Sequence, residues 1–408
     1  MTRSTRRLTN LIQEGAPADT GRRTFVRQLA VGAGALSALP LLAQAHDRDD
    51  DHGDDHGMRA RFTHGVASGD PLSDRVILWT RVTPIIPRAD AKVRVRWEIA
   101  RDARFRDVVS KGHAVTSAAA DYTVKVDALG LQEATTYYYR FKCNEAESPV
   151  GRTRTLPTGQ VDQVKLAVFS CANYPAGYFN VYADAARRHD LDATVHLGDY
   201  LYEYGQGGYA SANAAELGRL VNPAAEILSL RDYRLRHAQY KGDKDLQALH
   251  AVAPMIAVWD DHEFANDTWM DGAENHQPDT EGLFSVRKAA AMQAYHEWMP
   301  TRNAQPSIIY RSFDFGNLVS LHMLDTRVIG RDKQLSYADY FTAAGFDGAA
   351  FKAAVGNPNR QIMGATQTAW LQQQMAQSSA TWQILGQQIL MGRMNIPAPI
   401  LVETITPG

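Results

Sequence analysis

Cysteine is scarce in this chain. Of 408 residues only Cys143 and Cys171 carry a thiol, which excludes a scaffold built on disulfides. Neither sign of charge prevails, since 43 lysines and arginines meet 45 aspartates and glutamates for a formal net charge of -2. Nothing therefore marks nucleic acid or an anionic membrane as an obligatory partner. The apolar run near the N-terminus, "LAVGAGALSALPLLA", is shorter than the roughly 20 residues that span a bilayer and is rich in Gly and Ala, so no transmembrane anchor is expected. What the chain does have is apolar content, 45% of its residues, enough for a packed core and, at this length, for two domains.

The first 45 residues read as a processed leader. "GRRTFVRQLA" sets paired arginines and a Phe before the short apolar run, and Ala43-Gln44-Ala45 supplies a small-x-small cleavage signature. The segment resembles a twin-arginine export signal, which implies a bacterial chain handed already folded to the twin-arginine export machinery and delivered to the periplasm or outside the cell. Residues 46–60, opening with "HDRDDDHGDDHG", are too charged and too poor in apolar groups to offset their ordering entropy and are expected to form a disordered spacer.

Residues 61–157 follow a β pattern. "KVRVRWEIA", "YTVKVDAL" and "TTYYYRFKC" alternate apolar and polar positions as half-buried antiparallel strands do. "LQEATTYYYRF" resembles the tyrosine corner of fibronectin type III domains, with Leu131 and Tyr137 in the matching places. A small antiparallel β-sandwich is expected, closed by the linker "TRTLPTG". Residues 160–408 change character: "VKLAVF" reads as a strand buried on both faces, "YFNVYADAARRHD" as a helix and "DATVHLGD" as a second strand, together a βαβ unit. "LRDYRLRHAQYKGDKDLQALHAV" reads as helical before the strand "MIAVW". "SVRKAAAMQAYHEWM" is another helix, "SIIYRSFDFGNLVSLHMLDTR" a two-stranded hairpin, and "TAWLQQQMAQSS" with "TWQILGQQI" a last helix and strand.

Open α/β sheets bind ligands at the carboxyl ends of their strands. Behind these strands stand Cys171 and Asn173, then Asp199 and Tyr202, then Asp260, Asp261, His262 and Glu263, then Asp325 and Arg327. Each has a plainer role when taken singly: a small core thiol, a turn aspartate, a packed ring, a structural histidine, a simple ion pair. Together they place thiol, phenol, carboxylate, carboxamide, imidazole and guanidinium on one rim. Thiolate and phenolate favour a trivalent or soft-leaning transition metal, carboxylate and carboxamide a hard ion such as Ca2+. An aspartate between the two kinds can bridge a metal pair, an arrangement suited to phosphoryl displacement.

These residues carry a family likeness. "GDYLY" is similar to the Gly-Asp-x-x-Tyr block of purple acid phosphatases and related metallophosphoesterases, and "DDHE" sits where that group has Gly-Asn-His-Glu. "FSCANY", "HLGDYLYEYG", "YRLRHAQYKGDKDLQALHAVAPMIAVWDDHEFAND" and "LDTR", with the leader and the β-rich part in front, resemble the PhoD-type alkaline phosphatases over roughly residues 60 to 395. The resemblance implies a layered α/β metallophosphoesterase sandwich that hydrolyses small phosphate esters with Fe3+ and Ca2+. Cys171, Asp199 and Tyr202 would bind iron, and Asp199 would also face calcium with Asp261, Asn266 and Asp260. His262 would stabilise phosphoryl oxygens or protonate the leaving group, and Arg327 would pair with phosphate. Members of this family usually continue to a further Gly-Asp-x-His strand end. The present sequence ends in "IPAPILVETITPG" without it, so a C-terminally truncated domain with an incomplete metal shell and an exposed sheet face is expected.

Other readings stay open at this stage. The same site would suit a phospholipase D-like or nucleotide phosphodiesterase, and a non-catalytic binding protein would use the sandwich for docking. A bridge between Cys143 and Cys171 would remove the thiolate ligand.

Overall fold

The computed structural model describes residues 59–86, 91–302 and 305–391. The leader and nearly all of the spacer expected from the sequence lie outside the described residues; residues 59 and 60 lie within them, and Ala60 already opens a strand. No helix among the described residues is long and apolar enough to cross a membrane.

The first part consists of strands β1 (Ala60–Arg61), β2 (Val66–Gly69), β3 (Arg75–Arg81), β4 (Thr83–Pro84), β5 (Val93–Ala100), β6 (Val108–Thr116), β7 (Thr123–Leu129), β8 (Thr136–Cys143), β9 (Ala146–Glu147) and β10 (Gly151–Arg154). One sheet runs β10-β8-β5-β6 with β9 against β8. Alternation decides which faces are buried: Val93, Val95, Trp97 and Ile99 of β5 and Tyr137, Tyr139, Phe141 and Cys143 of β8 point into one core with Val76 and Leu78 of β3 and Val124 and Val126 of β7. Tyr137 is fully buried and its hydroxyl accepts the backbone N–H of Gln132 at 2.8 Å, closing the corner over Leu131. Cys143 and Cys171 are not bridged.

The second part adds β11 (Leu166–Phe169), α1 (Asn180–Ala186), β12 (Ala193–His196), α2 (Leu230–Lys241), α3 (Lys244–Val252), β13 (Met255–Ala257), α4 (Pro278–Glu281), α5 (Phe284–Trp298), β14 (Arg311–Phe315), β15 (Val319–Met323), a two-residue hairpin pair β16 (Phe341–Thr342) and β17 (Gly345–Phe346), α6 (Gly348–Val355), α7 (Gly364–Gln377) and β18 (Trp382–Gly386). Strands β11, β12 and β13 are parallel. They continue through a single register pair, Met255 with Gly69, into β2, β3 and β7, so one mixed six-stranded sheet crosses the linker at residues 153–159. The hairpin β14–β15 forms as expected, and β18 joins β15 in parallel. Phe313, Phe315, Leu321 and Met323 of this second sheet share a core with Ala193, Val195, Met255 and Ile256 of the first.

Two local expectations change. The long helix expected before "MIAVW" is split in two, because the Asp243 carboxylate accepts the N–H groups of Asp245 and Leu246 and starts α3 afresh, one residue after Gly242 ends α2. The strand "VKLAVF" was expected to be buried on both faces, but β11 lies at the edge of its sheet with Val168 57% exposed.

Candidate metal centre

The carboxyl ends of β11, β12 and β13 are stitched together by backbone bonds. Leu197 N–H donates to Phe169 O at 2.8 Å, Val258 N–H to His196 O at 3.0 Å, and Ala172 N–H to Asp199 O at 2.8 Å. Close approach is possible because Gly198 has no side chain: at φ 108° a Cβ there would meet the Asp260 nitrogen at 2.4 Å. Glu263 completes the joint from below. Its buried carboxylate accepts the N–H groups of Asp199 at 3.1 Å, Tyr200 at 2.6 Å and Asp260 at 2.8 Å.

This stitching brings the expected side chains together. The Tyr202 hydroxyl donates to Asp199 Oδ2 at 3.1 Å, and the Cys171 thiol lies in hydrogen-bonding reach of both Asp199 and Tyr202. Asp199, Asp261 and His262 each offer a ligand atom within 4.8 Å of the others. The His262 ring stacks on Tyr202 at 4.1 Å, while its Nδ1 meets Glu203 Oε2 at 2.7 Å. Cys171 and Asp199 both hold left-handed backbone angles, φ 61° and 54°, a strained state for non-glycine residues that is common where side chains must be aimed.

Three expected residues sit differently from the sequence reading. Arg327 was expected to meet phosphate, but its guanidinium is engaged by carboxylates: Nε with Asp260 at 2.5 Å, Nη2 with Asp261 at 3.3 Å and Nη1 with Asp267 at 3.5 Å. Asp260 is correspondingly drawn toward Arg327. Asn266 uses its Nδ2 to donate to Glu274 at 3.0 Å, at the margin of the cluster. Asp325 does not pair with the Arg327 guanidinium either; it accepts the backbone N–H groups of Arg327 and Val328, both at 2.9 Å, and so shapes the loop.

Two residues that the sequence reading left without a role prove central. Glu203 is fully buried and anchors His262, the backbone N–H of Asn266 at 2.7 Å and Asn275 Nδ2 at 2.9 Å. Glu263 is the joint just described. Both lie inside motifs already noticed, "YLYEY" and "DDHE", yet a buried carboxylate that serves backbone N–H groups has no spacing of its own to betray it.

Burial and mutual repulsion govern the electrostatics of the acidic run. Burial, reinforced by Asp261 against the pull of His262, lifts the Asp199 carboxyl above its ordinary range. Burial and Asp261 push Asp260 up to about 7 despite Arg327. Burial and Asp199 raise the Cys171 thiol, and burial with Asp199 and Cys171 raises the Tyr202 phenol. Each of these acids is held toward its neutral form, and further positive charge among them would favour ionisation. Burial alone would depress the His262 imidazole, yet Glu203, with Asp261 and Asp199, raises it to about 9. The Asp199 Oδ1 and Asn173 Oδ1 atoms are buried acceptors with no hydrogen-bond partner. Such orphaned oxygens are rare in folded proteins and fit a cation.

A mixed sheet gathers thiol, phenol, imidazole and acid at its strand ends around buried, unpartnered oxygens, a donor set whose chemistry suits cations. The chain belongs to the PhoD-like phosphatase family: the family model matches residues 166–404, and that of the PhoD-like phosphatase N-terminal domain matches residues 47–157. It is 40% identical over 392 residues to alkaline phosphatase D of Bacillus subtilis (strain 168), covering 92% of this chain and 63% of that protein. A solved structure of PhoD aligns with a TM-score of 0.73 at 40% identity, over 82% of this chain and 63% of that one. The chain thus spans just under two thirds of the length of these relatives.

Proposed function

We propose that this protein is an exported, metal-dependent phosphoric ester hydrolase, an alkaline phosphatase or phosphodiesterase that releases phosphate from small organic esters. The observation that carries this reading is Asp199, which touches a thiol and a phenol, lies within ligand reach of Asp261 and His262, and has one buried oxygen unpartnered. Cys171, Asp199 and Tyr202 would hold Fe3+. Asp199 and Asp261 would hold Ca2+, with Asp260 and Asn266 each lending the side-chain oxygen that Arg327 and Glu274 do not engage. Bound there, such cations would polarise a phosphoryl group and activate a water. His262, kept cationic by Glu203, faces the phosphoryl oxygens and is the proton donor to the leaving oxygen. Arg327 balances the crowded carboxylates and keeps Asp260 and Asp261 apart from each other's charge.

The leader at residues 1–45 supports passage through the twin-arginine machinery to the periplasm or the exterior. The tyrosine corner at Tyr137 and the shared core of the first two sheets support a fibronectin-like sandwich in front, and the core between the six-stranded and three-stranded sheets supports a metallophosphoesterase-like layering behind.

Metal analysis with colour tests the reading. The protein loaded with iron and calcium should show a visible tyrosinate-to-iron band and hydrolyse p-nitrophenyl phosphate or its bis ester. Tyr202→Phe should fold, lose the band and lose at least tenfold in turnover. A colourless, iron-free and inactive wild-type protein that still folds would overturn the proposal.

A further inference from the structure

The mouth of the site carries an aromatic wall that hydrolysis by itself does not use. Tyr209, in the glycine-rich loop after Tyr202, is 62% exposed. Its ring lies 6.3 Å from that of Tyr202 with the planes only 20° apart, and 6.2 Å from that of Tyr204. Tyr204 in turn lies 5.5 Å from the His262 ring. Since the Tyr202 hydroxyl touches Asp199, Tyr209 stands one ring outward from the groups that would face the phosphoryl centre.

The backbone that carries this ring is tied down. The Tyr209 carbonyl accepts Asn173 Nδ2 at 3.2 Å, which ties the loop to the residue two beyond Cys171. Gly208 N–H donates to Gly205 O at 3.1 Å, and the Ser211 hydroxyl donates to Gly208 O at 2.6 Å, closing a tight turn on either side. Gly208 fits there only because a Cβ would come within 2.7 Å of the Tyr204 Cβ. An aromatic ring left open to solvent on a turn whose backbone is already fixed can be covered with no further backbone ordering, so less of the contact energy is offset by entropy.

We infer that Tyr209, backed by Tyr204, is a stacking subsite for a planar aromatic leaving group, either an aryl ring or a nucleobase, of the phosphate ester. This rests on the hydrolase reading above and assigns it a preferred substrate class. Ring-on-ring contact of this kind changes affinity by roughly tenfold. It acts on the leaving group alone, so it separates esters by that group and not by their phosphate.

The test compares kcat/KM of the metal-loaded full chain and of Tyr209→Ala and Tyr209→Phe on phenyl phosphate, adenosine 5′-monophosphate and glycerol 3-phosphate. Calorimetric binding of phenylphosphonate and methylphosphonate supplies a readout apart from turnover. Tyr209→Ala should lower the phenyl-to-glycerol ratio, the adenosine-to-glycerol ratio or both about tenfold, mainly through KM, and should weaken phenylphosphonate relative to methylphosphonate. Tyr209→Phe should leave the ratios in place. The ratio that moves names the aromatic source. Ratios unmoved by Tyr209→Ala, or moved equally by Tyr209→Phe, overturn the subsite while the hydrolase reading stands. A wild-type protein that neither cleaves any ester nor binds either phosphonate overturns the hydrolase reading, and the subsite with it.

Discussion

Asp199 has a left-handed backbone, an unpartnered buried oxygen, and Cys171, Tyr202 and Asp261 for neighbours. Each of these features is unfavourable in isolation, which gives the site a measurable pH signature. Asp199, Asp260 and Glu263 have folded-state pKa values above their ordinary ones, Asp260 at about 7 against 3.8. A carboxyl raised in this way binds more protons folded than unfolded, so in metal-free protein these three groups contribute stability that is lost as pH rises through the window from about 4 to 7. Cations bound at the site would reverse this loss. The difference in melting temperature between metal-loaded and chelated protein should therefore widen from pH 5 to pH 8, and a constant difference would refute the electrostatic account. The side chains that meet here were legible in the sequence because each lies within a few residues of the end of a strand. The roles of Glu203 and Glu263 were not, since their partners are mostly backbone N–H groups and the His262 ring, which only folding brings near. The engagement of Arg327 by three carboxylates was hidden for the same reason: its partners lie some 60 residues away in the chain.

Asp70 shows how one residue fixes several elements. It follows β2, is almost wholly buried, and accepts Arg311 Nε at 2.8 Å and Nη2 at 2.5 Å, while the backbone N–H of Arg302 reaches Oδ2 at 2.6 Å. Arg311 opens β14 and Arg302 lies in the segment before it, so one carboxylate ties the first sheet to the second. Removing a single partner of such a buried pair costs about 3–5 kcal/mol. Asp70→Ala should destabilise the protein by about that amount in urea titration, and a change under 1 kcal/mol would show the pair to be dispensable. Long alternating strands such as β5 and β8 were readable from periodicity alone. The continuation of the parallel strands into β2 was not, because the four-residue "VASG" of β2 is buried throughout and meets β13 at a single pair. A run with no alternation does not announce its neighbour.

At the scale of the whole molecule, several histidines of the described residues are buried and held uncharged. Burial depresses His196, His237 and His296 to about 3, and burial with Arg81 and Lys241 does the same to His64. Their unfolded value is 6.5, so between about 3 and 6.5 the unfolded chain binds more protons and stability falls as pH falls. Each such imidazole adds a slope of about 1.4 kcal/mol per pH unit in that window. Lys125, which reaches from β7 to the carbonyls of His296 and Thr301, is depressed by burial to about 7 against 10.5, so its contribution rises with pH from 7 upward. Metal-loaded protein should accordingly unfold steeply below pH 6 and gain stability into the alkaline range. A stability maximum near pH 5 in calorimetry would contradict this. The Lys125 bridge and the sheet that passes from β13 into β2 have one more outcome. A recombinant fragment starting at residue 160 would bare the hydrogen-bonding edge of β13 along with the apolar flank beside it, a template on which further copies would polymerise. The β-rich part at residues 61–157 is therefore best regarded as the covalently attached solubility partner of the segment that follows it.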